Sequence, residues 1–153
     1  DNLLGNLGND TINAGNGNDL VFGNEGTDLL FGGAGNDTVY AGKENDSLDG
    51  GIGNDFLVGN DENDLLCGDT GNDTLFGGKG NDLLNQSLGS DIITDFRKGE
   101  DLIGLAPGLS FNQLSITSSN NQALISVTGS NQLLAKLNGV AANALTATDF
   151  ITL

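Results

Sequence analysis

The sequence predicts an all-β fold: a right-handed parallel β-roll with two parallel sheets and about 18 residues per coil, followed by a small antiparallel carboxy-terminal cap. Three observations predict this fold. An aspartate recurs every nine residues, an aliphatic residue follows each aspartate two positions later, and the intervening segments are rich in glycine and asparagine, which tolerate positive φ. Two such units would complete one coil and place one strand in each sheet.

The nine-residue period extends over residues 1–94 without a slip. Its aspartates are Asp1, Asp10, Asp19, Asp28, Asp37, Asp46, Asp55, Asp64, Asp73, Asp82 and Asp91. The aliphatic residues that follow them are Leu3, Ile12, Val21, Leu30, Val39, Leu48, Leu57, Leu66, Leu75, Leu84 and Ile93. When the aspartate is numbered as position 6 of each unit, position 1 is Gly or Ala from Gly5 to Gly77, and position 4 is usually Gly.

Each unit therefore divides into a six-residue turn and a three-residue strand with one inward-facing aliphatic side chain. Three residues are too few to form a stable strand alone. Stacking makes the strand stable, because each coil pairs with the coil before it and the coil after it.

The repeat resembles a known family. Units such as GGAGNDTVY from Gly32, GGIGNDFLV from Gly50 and GGKGNDLLN from Gly77 are similar to the calcium-binding nonapeptides of RTX (repeats-in-toxin) proteins. The resemblance covers residues 1–94, and Asp95–Leu105 is similar to the degenerate segment that closes such arrays. It implies a calcium-binding β-roll in a hemolysin-type protein.

The composition independently favours a cation ligand. The formal charge is −16, and 17 of the 21 acidic residues precede residue 95. Histidine is absent and Cys67 is the only cysteine, which excludes a disulfide framework, a Cys/His zinc site and histidine-based acid–base catalysis. Aspartates stacked one coil apart, about 4.8 Å, would repel each other. We therefore expect the repeat region to be disordered without metal.

Calcium is the expected cofactor, because it accepts about six to eight oxygen ligands in flexible geometry, whereas magnesium demands strict octahedral geometry. Turns on the same edge of the roll recur at every second unit, so each ion would lie between two such turns. One edge offers the pairs Asp10/Asp28, Asp28/Asp46, Asp46/Asp64 and Asp64/Asp82, and the other offers the pairs from Asp1/Asp19 to Asp73/Asp91. These pairs allow at most about nine ions. Turn carbonyls would complete each site around Gly15, Gly17, Gly33, Gly35, Gly51, Gly53, Gly71, Gly78 and Gly80.

Two units have glutamate at position 4 in place of glycine. Glu44 and Glu62 are two units apart and therefore stack on one edge, beside Asp46 and Asp64. Either the turn is strained and the neighbouring site is weaker, or the two glutamates add ligands. Non-glycine residues tolerate positive φ poorly, which favours the weaker site.

The outward strand positions are unusually apolar. One sheet would display Phe22, Tyr40, Val58 and Phe76, with Leu20 and Phe56 beside them, whereas the other would show the mixed series Asn13, Phe31, Asp49, Cys67 and Asn85. Such a stripe is typical of a covered face, and an upstream domain is the expected cover. The alternative is a surface that only favours β structure.

The composition changes after Gly99. Runs at Ser110–Thr117, Ala123–Thr128 and Gln132–Asn138 predict an antiparallel meander that caps the roll. The last residues, Thr146–Leu153, resemble the uncleaved signals of RTX proteins exported by type I secretion, and we expect this signal to be separable from the calcium-binding part. The expected division is a repeat domain at 1–94, followed by a closing segment, cap and signal at 95–153.

These patterns together predict a secreted calcium-dependent folding module, not an enzyme, from the carboxy-terminal part of a longer RTX protein, since Asp1 opens at position 6 of an incomplete unit. The expected partners are calcium ions and the type I secretion apparatus. The acidity argues against nucleic acid, and no apolar run is long enough for a membrane span. The alternative is an adhesive or ice-binding repeat, although the irregular, charged position 3 makes a flat lattice difficult.

Overall fold

A computed structural model describes residues 1–85, 88–130 and 132–153. The repeat region contains strands β1 (Asn2–Leu7), β2 (Thr11–Asn16), β3 (Leu20–Glu25), β4 (Leu29–Ala34), β5 (Thr38–Lys43), β6 (Ser47–Ile52), β7 (Phe56–Asp61), β8 (Leu65–Thr70), β9 (Thr74–Lys79), β10 (Leu83–Asn85) and β11 (Asp91–Ile93). The carboxy-terminal part contains β12 (Leu102–Leu105), β13 (Leu114–Ser119), β14 (Gln122–Val127), β15 (Leu133–Asn138) and β16 (Phe150–Thr152). Short 3₁₀ helices lie at Phe111–Gln113, Ala142–Ala144 and Ala147–Asp149.

The strands form two sheets that alternate along the chain. The odd sheet has the order β1-β3-β5-β7-β9-β11-β15-β14-β13, and the even sheet has the order β16-β12-β10-β8-β6-β4-β2. Repeat strands from β1 to β9 pair in parallel with a constant offset of two units, as in Val21 with Val39 and Leu30 with Leu48. The prediction of two parallel sheets with about 18 residues per coil is therefore confirmed.

The core consists of two rows of aliphatic side chains that lie between the sheets. From the third unit onward, the residue two positions after each aspartate is at most 1% exposed: Val21, Leu30, Val39, Leu48, Leu57, Leu66, Leu75, Leu84 and Ile93. Each of these side chains stacks on its counterpart one coil away, because the offset between paired strands does not change along the repeat. One inward side chain per nine residues gives a narrow core and leaves the turns to contribute much of the coil-to-coil contact.

The repeat strands are longer than the predicted three residues. From β1 to β9 each strand has six residues and continues through positions 1–3 of the following unit. Pairing continues through the bend, for example between Asn24 and Gly42 and between Gly33 and Gly51. Positive φ at Asn24 (82°) and Gly33 (106°) turns the chain at position 2. From β1 to β9 the strands bend at the same position, and pairing skips position 1 and resumes at position 2.

The outward ladders match the sequence prediction. Phe22, Tyr40, Val58 and Phe76 occupy successive strands of the odd sheet in register. The rings of Phe22 and Tyr40 stack with centroids 5.2 Å apart, and Phe56 lies edge-on to Tyr40 at 6.3 Å. Phe56 and Phe76 remain 38% exposed. On the even sheet, the predicted series from Asn13 to Asn85 is likewise in register.

The antiparallel meander extends the odd sheet. Strands β13, β14 and β15 pair antiparallel in sequence order, and β15 pairs in parallel with β11 at the end of the repeat. The predicted first strand began at residue 110, but β13 begins at Leu114. The difference arises because Ser110 and Gln113 form a capping box that closes a 3₁₀ turn ahead of the strand.

The segment Thr146–Leu153 is part of the fold. Its strand β16 pairs in parallel with β12 at the end of the even sheet, through Ile103 with Phe150. Asp149 is 2% exposed and accepts the Thr146 N–H at 2.7 Å, and the Lys98 ammonium lies 3.8 Å from its carboxylate. The segment that was expected to act as a separable signal is thus also the last strand of the even sheet.

Among the residues that the structure describes, no helix is both long and apolar enough to cross a membrane.

The carboxy-terminal strands close both sheets, and this predicts how truncation affects folding. Deleting residues 100–153 removes β12–β16 and leaves the last repeat strands, β10 and β11, as open edges. We expect the calcium needed for folding to rise sharply, or the transition to disappear, in circular dichroism titrations. The control is deletion of residues 1–18, which removes one coil and leaves this end intact. If residues 1–99 fold at the same calcium midpoint as the full chain, the cap has no role in folding.

Candidate calcium site

The position-6 aspartates lie inside the turns, between one coil and the next. From Asp19 to Asp91 each is at most 4% exposed, whereas Asp10 is half-buried and Asp1 is exposed. Each edge of the roll carries one column, with Asp10, Asp28, Asp46, Asp64 and Asp82 on one edge and Asp1, Asp19, Asp37, Asp55, Asp73 and Asp91 on the other. We call these edges the Asp10 edge and the Asp1 edge. The predicted candidates are therefore brought together as two columns.

One carboxylate oxygen of each aspartate links the coils. Oδ1 accepts the backbone N–H of the aspartate one coil earlier, from Asp10 N–H to Asp28 up to Asp73 N–H to Asp91, at 2.7–3.0 Å. The asparagines at position 5 make a second ladder that runs in the opposite direction. The Asn18 side-chain oxygen accepts the Asn36 N–H at 2.8 Å, and the Asn36 oxygen accepts the Asn54 N–H at 2.8 Å. Side-chain acceptors thus continue the backbone ladder along both edges.

The other carboxylate oxygen has no hydrogen-bond partner. Oδ2 is buried and unpartnered at Asp10, Asp19, Asp28, Asp37, Asp46, Asp55, Asp64, Asp73, Asp82 and Asp91. A buried polar atom without a partner is costly, and for a charged oxygen the cost is greater. Ten repetitions of the same unpaired atom indicate a site that requires a positive ligand.

The position-1 glycine makes room for this oxygen. A Cβ added to Gly23 would lie 2.2 Å from Asp28 Oδ2 and 2.7 Å from the Ala41 carbonyl oxygen. At Gly59 the same point lies 2.3 Å from Asp64 Oδ2 and 2.5 Å from the Gly77 carbonyl oxygen. Two acceptors from successive coils therefore face the same small space. An oxygen-binding cation fits this arrangement, because neither oxygen can donate a hydrogen bond.

The predicted turn carbonyls lie at positions 2 and 4, where every glycine named in the prediction has positive φ. Carbonyls at both positions point along the stack: a Cβ on Gly33 would lie 2.1 Å from the Gly15 oxygen, and one on Gly35 would lie 1.9 Å from the Gly17 oxygen. Within the described part of the chain, no three His, Cys, Asp or Glu side chains lie close enough to hold an ion. A site formed by two aspartates therefore also needs backbone oxygens.

The metal-free carboxylates resist ionisation. Burial raises the pKa of Asp64 to about 8, and the charges of Asp46 and Asp82 add to the effect. Burial is also the main cause that raises the pKa to about 6 at Asp46, Asp55, Asp73, Asp82 and Asp91. Each of these turns therefore favours a bound proton or a bound cation over an isolated negative charge.

Sequence reasoning missed the roles of two aspartates that lie just beyond the repeat. Asp95 accepts the N–H groups of Gly77 and Gly78 at 3.0 and 2.8 Å, one with each carboxylate oxygen. Asp101 continues the Asp10 edge: its Oδ1 accepts the Asp82 N–H at 3.1 Å, and its Oδ2 accepts the Arg97 N–H at 2.6 Å. Both oxygens of Asp95 and of Asp101 thus have donors, whereas Asp91 ends the Asp1 column with its Oδ2 unpartnered. The period would place the next aspartate of this column at residue 100, and Asp101 lies one residue later. A sequence search that allowed this one-residue shift would have found it.

The raised pKa values predict that acid favours the metal-free roll. A carboxyl group whose pKa is higher in the folded state stabilises folding below its unfolded value, 3.8, and loses that contribution as the pH rises through about 6, or about 8 for Asp64. In calcium-stripped protein, we expect the β-type circular dichroism signal to be stronger near about pH 4 than near about pH 8. A metal-free signal that grows with rising pH would contradict this electrostatic account.

The solved structures that are similar to this chain include three described below. The AlgE6R2 subunit from the Azotobacter vinelandii mannuronan C5-epimerase has a TM-score of 0.49 and 22% identity, covering 95% of this chain and 91% of that chain. The AlgE6R3 subunit of the same enzyme has a TM-score of 0.42 and 23% identity, covering 94% and 78%. The extracellular lipase LipA from Serratia marcescens has a TM-score of 0.42 and 16% identity, covering 94% of this chain but only 38% of the lipase. Comparison with curated proteins gives no match.

The family comparison covers the repeat region. The RTX calcium-binding nonapeptide repeat matches in four copies, over residues 1–30, 22–57, 31–66 and 58–93. The matched residues contain every position-6 aspartate of the two columns and end where the period ends. The chain therefore belongs to the RTX calcium-binding nonapeptide repeat family.

Proposed function

We propose that this chain is a secreted module that binds calcium ions through its position-6 aspartates and folds as it binds them. The observation that carries the proposal is the repeated, buried and unpartnered Oδ2 atom in each turn. The family supports calcium as the cation. The chemistry of the oxygens supports it as well, because carboxylates and carbonyls are the ligands that calcium prefers.

We assign each ion to two aspartates in successive coils of one edge, together with turn carbonyls. The Asp10 edge then offers four pairs, from Asp10/Asp28 to Asp64/Asp82, and the Asp1 edge offers five, from Asp1/Asp19 to Asp73/Asp91. The maximum is about nine ions. Asp101 is not assigned to a pair, because protein N–H groups already satisfy both of its oxygens.

Bound calcium supplies positive charge between carboxylates that otherwise repel each other. The chain supplies the geometry. Its Oδ1 bonds set the distance between coils, its position-1 glycines leave space beside Oδ2, and its positive-φ glycines direct backbone oxygens along the stack. Calcium binding and coil stacking therefore depend on the same contacts, and each favours the other.

We further propose that the chain is the carboxy-terminal part of a larger RTX protein exported by type I secretion. In the calcium-poor cytosol the repeat would remain unfolded. The pairing of β16 with β12 is compatible with this order of events, because a signal at Thr146–Leu153 would be accessible to the secretion apparatus only before the chain folds. Outside the cell, millimolar calcium would fold the roll, and an upstream domain would cover the Phe22, Tyr40, Val58 and Phe76 stripe.

We assign no catalytic residue in this chain, since the RTX repeat is a structural, calcium-binding element. An adhesive or ice-binding surface is the weaker alternative. On the odd sheet, position 3 carries the ion pairs Lys43 with Glu25 and Lys79 with Asp61, at 2.6 and 2.7 Å. Charged side chains of this length do not form the flat, regular lattice that such a surface needs.

Calcium-coupled folding is directly testable. Millimolar Ca²⁺ added to metal-free protein should produce β-type circular dichroism and compaction in small-angle X-ray scattering, because the cation removes the repulsion within both columns. The same concentration of Mg²⁺ should have little effect, since it retains its hydration shell. A chain that is already folded in chelator at neutral pH would contradict the proposal.

The ligand assignment predicts the effect of one isosteric substitution. Asp64→Asn keeps an oxygen for the Asp46 N–H but replaces the charged Oδ2, and Asp64 belongs to two of the proposed pairs. We expect saturating calcium, measured by equilibrium dialysis, to fall by one or two ions per chain. The matched control is Asp69→Asn, which changes an exposed carboxylate outside position 6 and should leave the number of ions unchanged. Equal stoichiometry in both variants would remove Asp64 from the ligand set.

A further inference from the structure

The two edges differ at position 4. On the Asp1 edge this position is always glycine, and its N–H donates to the position-3 carbonyl of the next coil: Gly17 to Ala34, Gly35 to Ile52 and Gly53 to Thr70, at 2.7–2.8 Å. This bond requires close approach of the coils. A Cβ on Gly53 would lie 1.8 Å from the Gly35 carbonyl oxygen, so this geometry excludes any side chain.

Glu44 and Glu62 bring a side chain to this position on the Asp10 edge. Their φ values are 71° and 75°, so the turn keeps its left-handed conformation at some conformational cost. The backbone bond changes instead. The Gly26 N–H donates to Glu44 Oε2 and the Glu44 N–H donates to Glu62 Oε2, both at 2.8 Å, in place of the Lys43 and Asp61 carbonyls that the all-glycine pattern would use.

The change of acceptor, from a backbone carbonyl to a glutamate carboxylate, has a steric cause. A Cβ at position 4 cannot approach the carbonyl of the coil before it as closely as glycine does, so the N–H of that earlier coil needs an acceptor that reaches further. A glutamate side chain has this reach, and its carboxylate is a stronger acceptor than a carbonyl. The same residue that prevents the backbone bond thus supplies its replacement.

We propose that Glu44 and Glu62 are inter-coil staples: positioning residues whose carboxylates hold the turns at Gly26, Glu44 and Glu62 in the register that the calcium sites of the Asp10 edge need. This role rests on the proposed calcium function, because the staples align the turns that contain Asp28, Asp46 and Asp64. The glutamates are placed beside the ions without being their ligands. Both glutamates are exposed residues, and these inter-coil bonds use one oxygen, Oε2, of each carboxylate.

The direct test is nuclear magnetic resonance of the calcium-loaded chain, labelled with ¹⁵N and ¹³C. We expect a scalar coupling through the hydrogen bond from the Gly26 amide nitrogen to Glu44 Cδ, and another from the Glu44 amide nitrogen to Glu62 Cδ. Couplings from these nitrogens to the Lys43 and Asp61 carbonyl carbons would overturn the proposal, because the backbone would then follow the all-glycine pattern.

A variant series separates the staple from the other roles. E44Q/E62Q keeps the reach and the acceptor oxygen but removes the charge, whereas E44N/E62N suits positive φ better but is too short to reach the earlier coil. We expect the calcium midpoint of folding to stay near wild type for the glutamine pair and to rise about twofold for the asparagine pair, because the loss of two hydrogen bonds is shared among several ions. E44G/E62G restores the all-glycine pattern and should also stay near wild type.

Other outcomes have distinct meanings. If the glutamine pair binds fewer ions at saturation, the glutamates are ligands and the staple is wrong. If the asparagine pair folds at less calcium than the glutamine pair, the positive φ at position 4 controls the calcium midpoint rather than the hydrogen bond. The staple is then again wrong. If the wild-type chain itself shows no calcium transition, the proposed function fails, whereas the couplings still test the staple in any folded state.

Discussion

The structure depends on a buried carboxylate that has a hydrogen-bond donor for only one of its two oxygens. From Asp28 to Asp91, each position-6 aspartate uses Oδ1 to accept a backbone N–H from the coil before it, and it buries Oδ2 with no donor. The hydrogen bond to Oδ1 fixes how the coils stack. The buried, unpaired Oδ2 makes that stacking unfavourable without a cation. The nine-residue period, the position-1 glycines and the acidic charge of the repeat all follow from this one arrangement.

A narrow core explains why the arrangement matters so much. Each unit buries one aliphatic side chain, and the free energy gained by that burial offsets only part of the conformational entropy lost when nine residues become ordered. The aspartate columns, which could stabilise the stack, instead destabilise it while they are charged and unpaired. The folded state is therefore conditional on what the turns bind.

The sequence predicts the periodic part of the fold well, because a strict repeat fixes the coil length, the register and the side chains that face inward. It predicts the corners less well. Residues such as Asn24 and Gly33 continue the ladder through the bend, and this requires neighbouring coils that a local pattern does not contain. The roles of Asp95, Asp101 and β16 were missed for the same reason: each depends on a partner that is distant in the chain and that the repeat pattern does not specify. The acceptor role of Glu44 likewise depends on a distant partner, the Gly26 N–H in the coil before it.

The aspartate ladder also gives the stack a direction. From Asp10 to Asp82, each position-6 N–H points toward the following coil, where a carboxylate Oδ1 accepts it. The two ends are therefore chemically unlike. In the aspartate ladder the amino-terminal neighbour donates a backbone amide, and on the Asp10 edge the carboxy-terminal neighbour brings a carboxylate at the correct offset, as Asp101 does. The asparagine ladder runs the other way, so the amino-terminal neighbour also presents a side-chain oxygen. A foreign sequence joined to a roll of this kind therefore has to match a different set of donors and acceptors at each end.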